Sequence, residues 1–368
     1  MLSICSPQLG LSPESNSGGE VYDREVITRL CQQGLTVYSL LPKGRSYPQL
    51  ESLKVKYALI RPMAPPHVFS AFVFPYLIKT YLTHKFDLLR IHNPYFIGPA
   101  ALAFKKIFPQ VPIVASYLHL EEGINYLIAK QVTPCFDHII TISQSTKNEI
   151  ISQFKYSKSK ISVAYPGVDK KFKPGPKPQD LVKQLKLKDK IVLLFLGGLK
   201  QRKNPAFLLD LLLKLNNPKV VLILAGTGPL LNTLKQKVKV KKLDNQVRFP
   251  GFIKESEKVK YYQLADILLL PSLKEGFGMT ITEAGACGIP AVGAGHYSIK
   301  EIINHPQTGF LAKPNDLDDW SKKLIQLIKS KSFRQQMGEK AQKHVRAQFS
   351  WEKNLKTHFK AFNKLTKT

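Results

Sequence analysis

The runs VLLFLGG (192–198) and ILLLPS (267–272) are apolar without alternation. A strand with the same apolar character on both sides must be covered on both sides, as in a parallel sheet flanked by helices. Strand-like runs recur at 36–41, 88–92, 111–117, 138–143 and 160–164, and again at 191–196, 220–225, 246–250, 267–271 and 291–293. Amphipathic segments such as 21–33, 205–215, 230–239 and 317–328 fall between them. Strand and helix in alternation over such a length define an α/β protein with doubly wound parallel sheets.

A chain of 368 residues exceeds one ordinary core, so two domains are expected. KKFKPGPKPQD (170–180) is too rich in Pro, Gly and Lys to pack a core and reads as a linker. It sets the expected boundary near Lys173, with domains at 1–172 and 173–349. The stretch SWEKNLKTHFKAFNKL is helical in pattern, with Trp351, Leu355, Phe359 and Phe362 on one side.

The four cysteines, Cys5, Cys31, Cys135 and Cys287, form no C-x-x-C pair, which argues against a zinc site or a disulfide framework and favours a reducing compartment. MLSICSPQLG has no basic region followed by a long apolar one, so no secretory signal is read. VFSAFVFPYLI (68–78) carries Pro75 and is too short to span a bilayer; it reads as a buried or interfacial helix. The expected location is therefore cytoplasmic, soluble or peripheral to a membrane. Lys plus Arg number 55 against 26 Asp plus Glu, a net charge of +29. Such a balance points to an anionic partner, whether nucleic acid, phospholipid or a phosphorylated substrate, unless it is simply a solvated lysine surface. The densest tract, KQKVKVKK (235–242), lacks interleaved aromatics and is a poor base-stacking platform, so nucleic acid is disfavoured.

EGFGMTITEAGACGIP (275–290) sets Glu275 and Glu283 around a glycine loop where an apolar strand hands over to a helix. In an open α/β sheet, ligands bind outside the carboxyl ends of the strands. The amides of Gly276, Phe277 and Gly278 and the helix start suit a phosphate. Glu283, in the helix body, is expected to accept two hydroxyls of a ribose, and Glu275 hydroxyls from another part of the ligand. Taken alone, the pair reads equally well as a surface acid and a helix-start charge. GGLKQRKN (197–204) repeats the strand-to-glycine pattern and adds Lys200, Arg202 and Lys203, cations that can neutralise a diphosphate leaving group. LAGTGP (224–229) is a third such turn, and SNSGGEVYDREV places Gly18 and Gly19 ahead of a helix.

Taken in order, Gly18–Gly19, Ser116–His119, ITIS, YPGVD, GGLKQRKN, AGTGP, PSLKEGFGMTITEAGACGIP and TGFLAKPND resemble the glycosyltransferase group 1 family, the family 4 retaining nucleotide-sugar transferases. The resemblance covers nearly the whole chain, and the E-x7-E segment with its flanks is its most specific part. It implies a GT-B architecture of two Rossmann-like domains facing a cleft, the helix at 350–368 crossing back to the first domain. It implies that Glu283 meets the ribose, Glu275 the donor sugar and Lys203 the diphosphate, with Gly276, Phe277 and Gly278 cradling the donor. His119 then lies near the transferred sugar, and Gly18 and Gly19 near the phosphates and acceptor. A lone histidine after a strand is otherwise more often structural; His92 is read as structural or as supporting a site residue from behind.

No cofactor or metal is implied. Asp316 and Asp318 form a D-x-D that opens a late helix, so they read as cap and first-turn charges. Asp169 of YPGVD is read as fixing the inter-domain turn. The chain departs from the family at Gly198, where an arginine usually follows the first glycine; Arg202 or Lys200 are the available substitutes. The expected activity is retaining transfer from a UDP- or GDP-sugar to a glycan or lipid-linked hydroxyl, in glycan, lipopolysaccharide or glycolipid synthesis, with an anionic membrane surface as a partner. The alternatives are a nucleotide-sugar epimerase or a phosphorylase on the same scaffold, or a basic nucleic-acid-binding protein.

Overall fold

Two six-stranded sheets organise the chain, each in its own compact unit: residues 1–166 with 352–368, and 167–351. The computed structural model describes residues 2–7, 18–41 and 66–366. Ser15, Asn16 and Ser17 of the SNSGGEVYDREV stretch lie outside the described residues. The first sheet comprises β1 (Ser3–Cys5), β2 (Thr36–Tyr38), β3 (Leu88–His92), β4 (Ile113–Tyr117), β5 (His138–Thr141) and β6 (Ile161–Val163). The second comprises β7 (Ile191–Leu196), β8 (Val220–Ala225), β9 (Val247–Gly251), β10 (Ile267–Leu270), β11 (Ala291–Ala294) and β12 (Gly309–Ala312).

Every ladder is parallel, in the orders β2-β1-β3-β4-β5-β6 and β12-β11-β10-β7-β8-β9. All six residues of β8 and all five of β3 are buried, as runs without alternation require. The order of each sheet reverses once, between β1 and β3 in the first and between β7 and β10 in the second. These switch points leave a crevice at the strands' carboxyl ends. Two strands were not expected from the sequence. β1 is a centre strand, with Ile4 and Cys5 wholly buried between β2 and β3, and β12 closes one edge of the second sheet. The 68–78 segment lies within one helix, Pro66–His84, which carries Pro75 in its interior.

The helix Trp351–Thr366 follows the second unit in sequence and from Glu352 onward belongs to the first. Its Asn354 Nδ2 donates to the carbonyls of Ala164 (3.1 Å) and Tyr165 (2.9 Å) and lies 3.3 Å from Tyr22 Oη. Beneath it Arg90 and Asp23 form a buried ion pair at 2.7 Å. Arg90 also donates to Ser6 Oγ at 3.2 Å, and the His92 ring stands 3.3 Å from Asp23. Burial, the largest influence, pushes the His92 imidazole down to about 4, so His92 is neutral and structural at physiological pH. The boundary between the units falls inside YPGVD, after Pro166, and Asp169 is bonded within the second unit. Asp169 accepts from its own Lys171 N–H at 2.9 Å, and its carbonyl accepts from Arg346 at 3.2 Å.

Candidate active site

At the switch point of the second sheet, β7 and β10 deliver two loops to the same place. β7 ends in Gly197–Gly198–Leu199, clamped against the turn that follows β8. Gly197 N–H donates to Ala225 O and Leu199 N–H to Thr227 O, both at 2.9 Å. Gly226 permits this approach: its φ is +139°, and a Cβ there would run into the Gly197 carbonyl. The glycines of LAGTGP thus serve a backbone-to-backbone contact that fixes the GGLK turn.

The chain then makes one short turn at Gln201–Lys203, and Lys203 Nζ forms an ion pair with Glu275 in the loop after β10. Ser272 Oγ donates to the same carboxylate oxygen at 3.2 Å. The loops are also joined through backbone: Leu273 N–H donates to Arg202 O at 2.7 Å, and Arg202 Nη1 donates to Lys274 O at 3.3 Å. Burial pushes the Glu275 carboxyl up, but the charge and hydrogen bond of Lys203, with Arg202 and Ser272, outweigh it and hold the group below its usual range. It is an ionised acid fastened to a cation.

The E-G-F-G loop is pinned from behind. Ser298 Oγ is 2.9 Å from both the Glu275 and Phe277 carbonyls, and His296 Nε2 donates to Ser272 O at 2.7 Å. The Phe277 ring is buried edge-on against Phe349 at 5.5 Å, so this residue anchors the loop by its side chain. Gly278, at φ +105°, opens the helix Met279–Ala286. The sequence spacing marks Lys203, Arg202, Glu275 and 276–278, but not Ser272, His296 or Ser298, which act from other elements with no local pattern.

Glu283 lies in the middle of that helix and is buried in a second network. Tyr262 Oη donates to Glu283 Oε2 at 2.5 Å, and Lys258 Nζ stands 3.7 Å from Oε1. Lys258 pairs with Glu255 at 2.6 Å, and Glu255 with Lys171 at 3.1 Å. Glu275 and Glu283 therefore share no bonding partner in the structure. Burial, the largest influence, raises the Glu283 carboxyl, and Glu255 adds to it, against the charge of Lys258 and the Tyr262 hydrogen bond; the net direction is up.

The folded state accordingly holds the Glu283 proton more readily than the unfolded chain does. Its ionised form costs stability, a cost absent below about pH 4 and growing as pH rises through the folded value. Glu283→Gln is expected to melt higher than wild type at pH 7 and together with it below pH 4. A lower melting temperature at pH 7 would mean that the attraction of Lys258 outweighs burial.

Gly18, Gly19 and His119 belong to the other unit. Gly18 opens the helix Gly18–Gln32, and a Cβ at Gly19 would meet Leu118 Cδ1 at 2.5 Å, so the helix start abuts the loop after β4 that carries His119. His119 Nε2 lies 2.9 Å from Glu121 Oε1, to which Tyr95 Oη donates at 3.3 Å. The three residues thus form a cluster of their own. Among the described residues no group of three or more His, Cys, Asp or Glu is placed to hold a metal ion. Asp316 caps the helix Leu317–Lys329 by accepting from Asp319 N–H at 2.9 Å, and Asp318 pairs with Lys214 at 2.5 Å.

Comparison with known proteins agrees with this layout. The N-acetyl-α-D-glucosaminyl L-malate synthase of Bacillus anthracis is 37% identical over 36% of this chain and 34% of its own. The D-inositol 3-phosphate glycosyltransferase of Thermobifida fusca is 26% identical over 96% of this chain and 90% of its own. The structure of HepE from Anabaena, in complex with UDP and glucose, superposes with a TM-score of 0.81 at 20% identity, covering 100% of both chains. Family descriptions match both units: "Glycosyltransferase Family 4" at residues 16–172 and "Glycosyl transferases group 1" at residues 176–344. With two parallel Rossmann-like sheets, strand-exit glycine loops at the switch point, and these matches across nearly its whole length, the chain belongs to the group 1 glycosyltransferases of GT-B fold.

Proposed function

We propose that this glycosyltransferase moves a sugar from a UDP- or GDP-sugar to an acceptor hydroxyl with retention of anomeric configuration and without a metal. The observation that carries the reading is the junction of Lys203 with Glu275 at the carboxyl ends of the adjacent strands β7 and β10. A cation there offsets the charge of a departing diphosphate, and an acid beside it receives sugar hydroxyls. Glu283 meets the ribose, and the amides of Gly276, Phe277 and Gly278, with the helix start behind them, meet the phosphates. His119 serves the transferred sugar, and Gly18 and Gly19 the phosphates and acceptor. Attack comes on the face the leaving group departs from, and the leaving phosphate takes the acceptor proton as an oxocarbenium-like transition state passes. The solved complex of HepE with UDP and glucose supports a nucleotide-sugar donor.

A thermal-shift and hydrolysis screen over UDP-, GDP- and ADP-sugars tests this. One uridine or guanosine donor is expected to raise the melting temperature and to hydrolyse slowly, unaffected by EDTA. Silence across the whole set would overturn the reading, and an inverted anomer by NMR would overturn retention.

The acceptor is proposed to be a glycan or a lipid-linked molecule of cell-envelope synthesis, reached at the cytoplasmic face of an anionic membrane. Among the described residues no helix is long and apolar enough to cross a membrane. The first unit nonetheless exposes Phe72 and Leu82 on the helix Pro66–His84, and Ile124 and Leu127 on the helix Gly123–Val132. With a net charge of +29, such a surface suits docking on anionic lipid. Sedimentation with phosphatidylglycerol vesicles but not with phosphatidylcholine vesicles at moderate salt is the expected result; equal recovery would contradict it.

A further inference from the structure

Three cations stand on the turn after β7, in three different situations. Lys203 is paired with Glu275. Arg202 donates its guanidinium to the Lys274 carbonyl at 3.3 Å. Lys200 is exposed, and its ammonium has neither an acidic partner nor a hydrogen-bond acceptor among the described residues. Its methylene chain runs over the bare face of Gly198. A Cβ at 198 would stand 3.6, 3.7 and 3.8 Å from Cε, Cγ and Cδ of Lys200, and these are its nearest neighbours. The backbone beneath is fixed, with Lys200 N–H donating to Gly198 O at 2.9 Å and Lys203 N–H to Lys200 O at 3.0 Å.

We propose that Lys200 is a further cation on the donor's diphosphate in this chain, acting beside Lys203 from the space over Gly198. The proposal rests on the nucleotide-sugar reading above and refines it. An anion arriving at Lys203 competes with a carboxylate already bound to it, and Arg202 gives up one donor to a carbonyl. Lys200 meets no such competitor, so its charge is undivided. Its chain is long and its ammonium a compact point charge, so it can follow the phosphates as the glycosidic bond breaks, where a planar guanidinium would impose one bidentate geometry. The absent side chain at 198 is what leaves room for that movement.

Calorimetric titration of the full chain with UDP, GDP and ADP, and with uridine, guanosine and adenosine, tests this. For the diphosphate that wild type binds, Lys200→Ala is expected to lose about tenfold in affinity, the scale of one charge-assisted hydrogen bond at a solvent-facing site. The parent nucleoside should bind as before, and the circular dichroism spectrum should not change. The backbone at 198 lies outside the left-handed region and a Cβ there meets only the Lys200 chain, so a side chain can be introduced without backbone strain. The double variant Lys200→Ala/Gly198→Arg should recover most of the lost affinity. Undiminished diphosphate binding by Lys200→Ala would overturn the proposal, as would equal losses for diphosphate and nucleoside. If wild type itself binds no diphosphate, the nucleotide-sugar reading fails, and that failure shows in wild type and not in the variant.

Discussion

Replacing Lys203 with alanine is expected to lower kcat by about 10²–10³-fold, the scale of removing one preorganised group that stabilises developing charge. The structure adds a second consequence. Lys203 also neutralises Glu275, and the two side chains are only 17% and 10% exposed. Removing one partner of a largely buried pair costs about 3 kcal/mol, because the other charge is left behind. The variant should therefore be both slow and less stable, and Lys203→Ala/Glu275→Gln should regain stability without regaining turnover. Thermal melts and single-turnover rates on the three proteins separate the effects. Turnover like that of wild type in the single variant would remove Lys203 from the reaction.

The same pair sets the sign of an acid limb. Glu275 is held below the ordinary carboxylate range, so its contribution to stability is present above about pH 4.3 and lost as pH falls through the lower folded value. In Lys203→Ala burial acts on Glu275 without that cation, so the contribution is lost and the variant's deficit against wild type should narrow as pH falls.

Gly226→Ala is expected to cost about 2–5 kcal/mol, although the residue touches no ligand in the proposed site. Its φ of +139° is unfavourable for any side chain, and the added methyl would meet the Gly197 carbonyl directly. Neither backbone can yield cheaply, since Gly226 N–H is bonded to Gly251 O at 2.8 Å and Gly197 N–H to Ala225 O. The melting temperature of the 167–351 unit should fall by roughly 5–15 °C. The GGLK turn should shift with it, so kcat/KM should drop even at temperatures where the variant is folded. A variant that melts within a degree or two of wild type would show that the turn after β8 is free to move.

The parallel sheets were legible wherever a strand is long and covered on both faces: β3, β7 and β8 begin and end where their apolar runs do. β1 and β12 were missed, although strands as short as β2 and β6 were read, because Ser3–Cys5 and Gly309–Ala312 form no run of β-branched apolar residues. Their places are set by ladder partners distant in sequence, Val37 and Leu88 for Ile4, and Val292 for Phe310. Pro75 did not end the helix Pro66–His84, whose buried Phe69, Val73, Leu77 and Tyr81 hold it against the core across the lost hydrogen bond. At the site, the glycine loops and their charges could be read because each sits in one short stretch. Ser298, which pins Glu275 and Phe277, and Tyr262, which orients Glu283, could not, since each acts across 21 to 23 residues through contacts that only the fold creates.

The first unit is discontinuous: six strands are made early, yet the helix that covers Arg90 and Asp23 follows only after the entire second unit. During synthesis the second unit is therefore complete in sequence before the first is. Asn354 reaches back 190 residues to Ala164, so a chain cut short anywhere in the intervening stretch lacks the helix that completes the opening domain. Premature termination within the second unit therefore also removes a piece of the first.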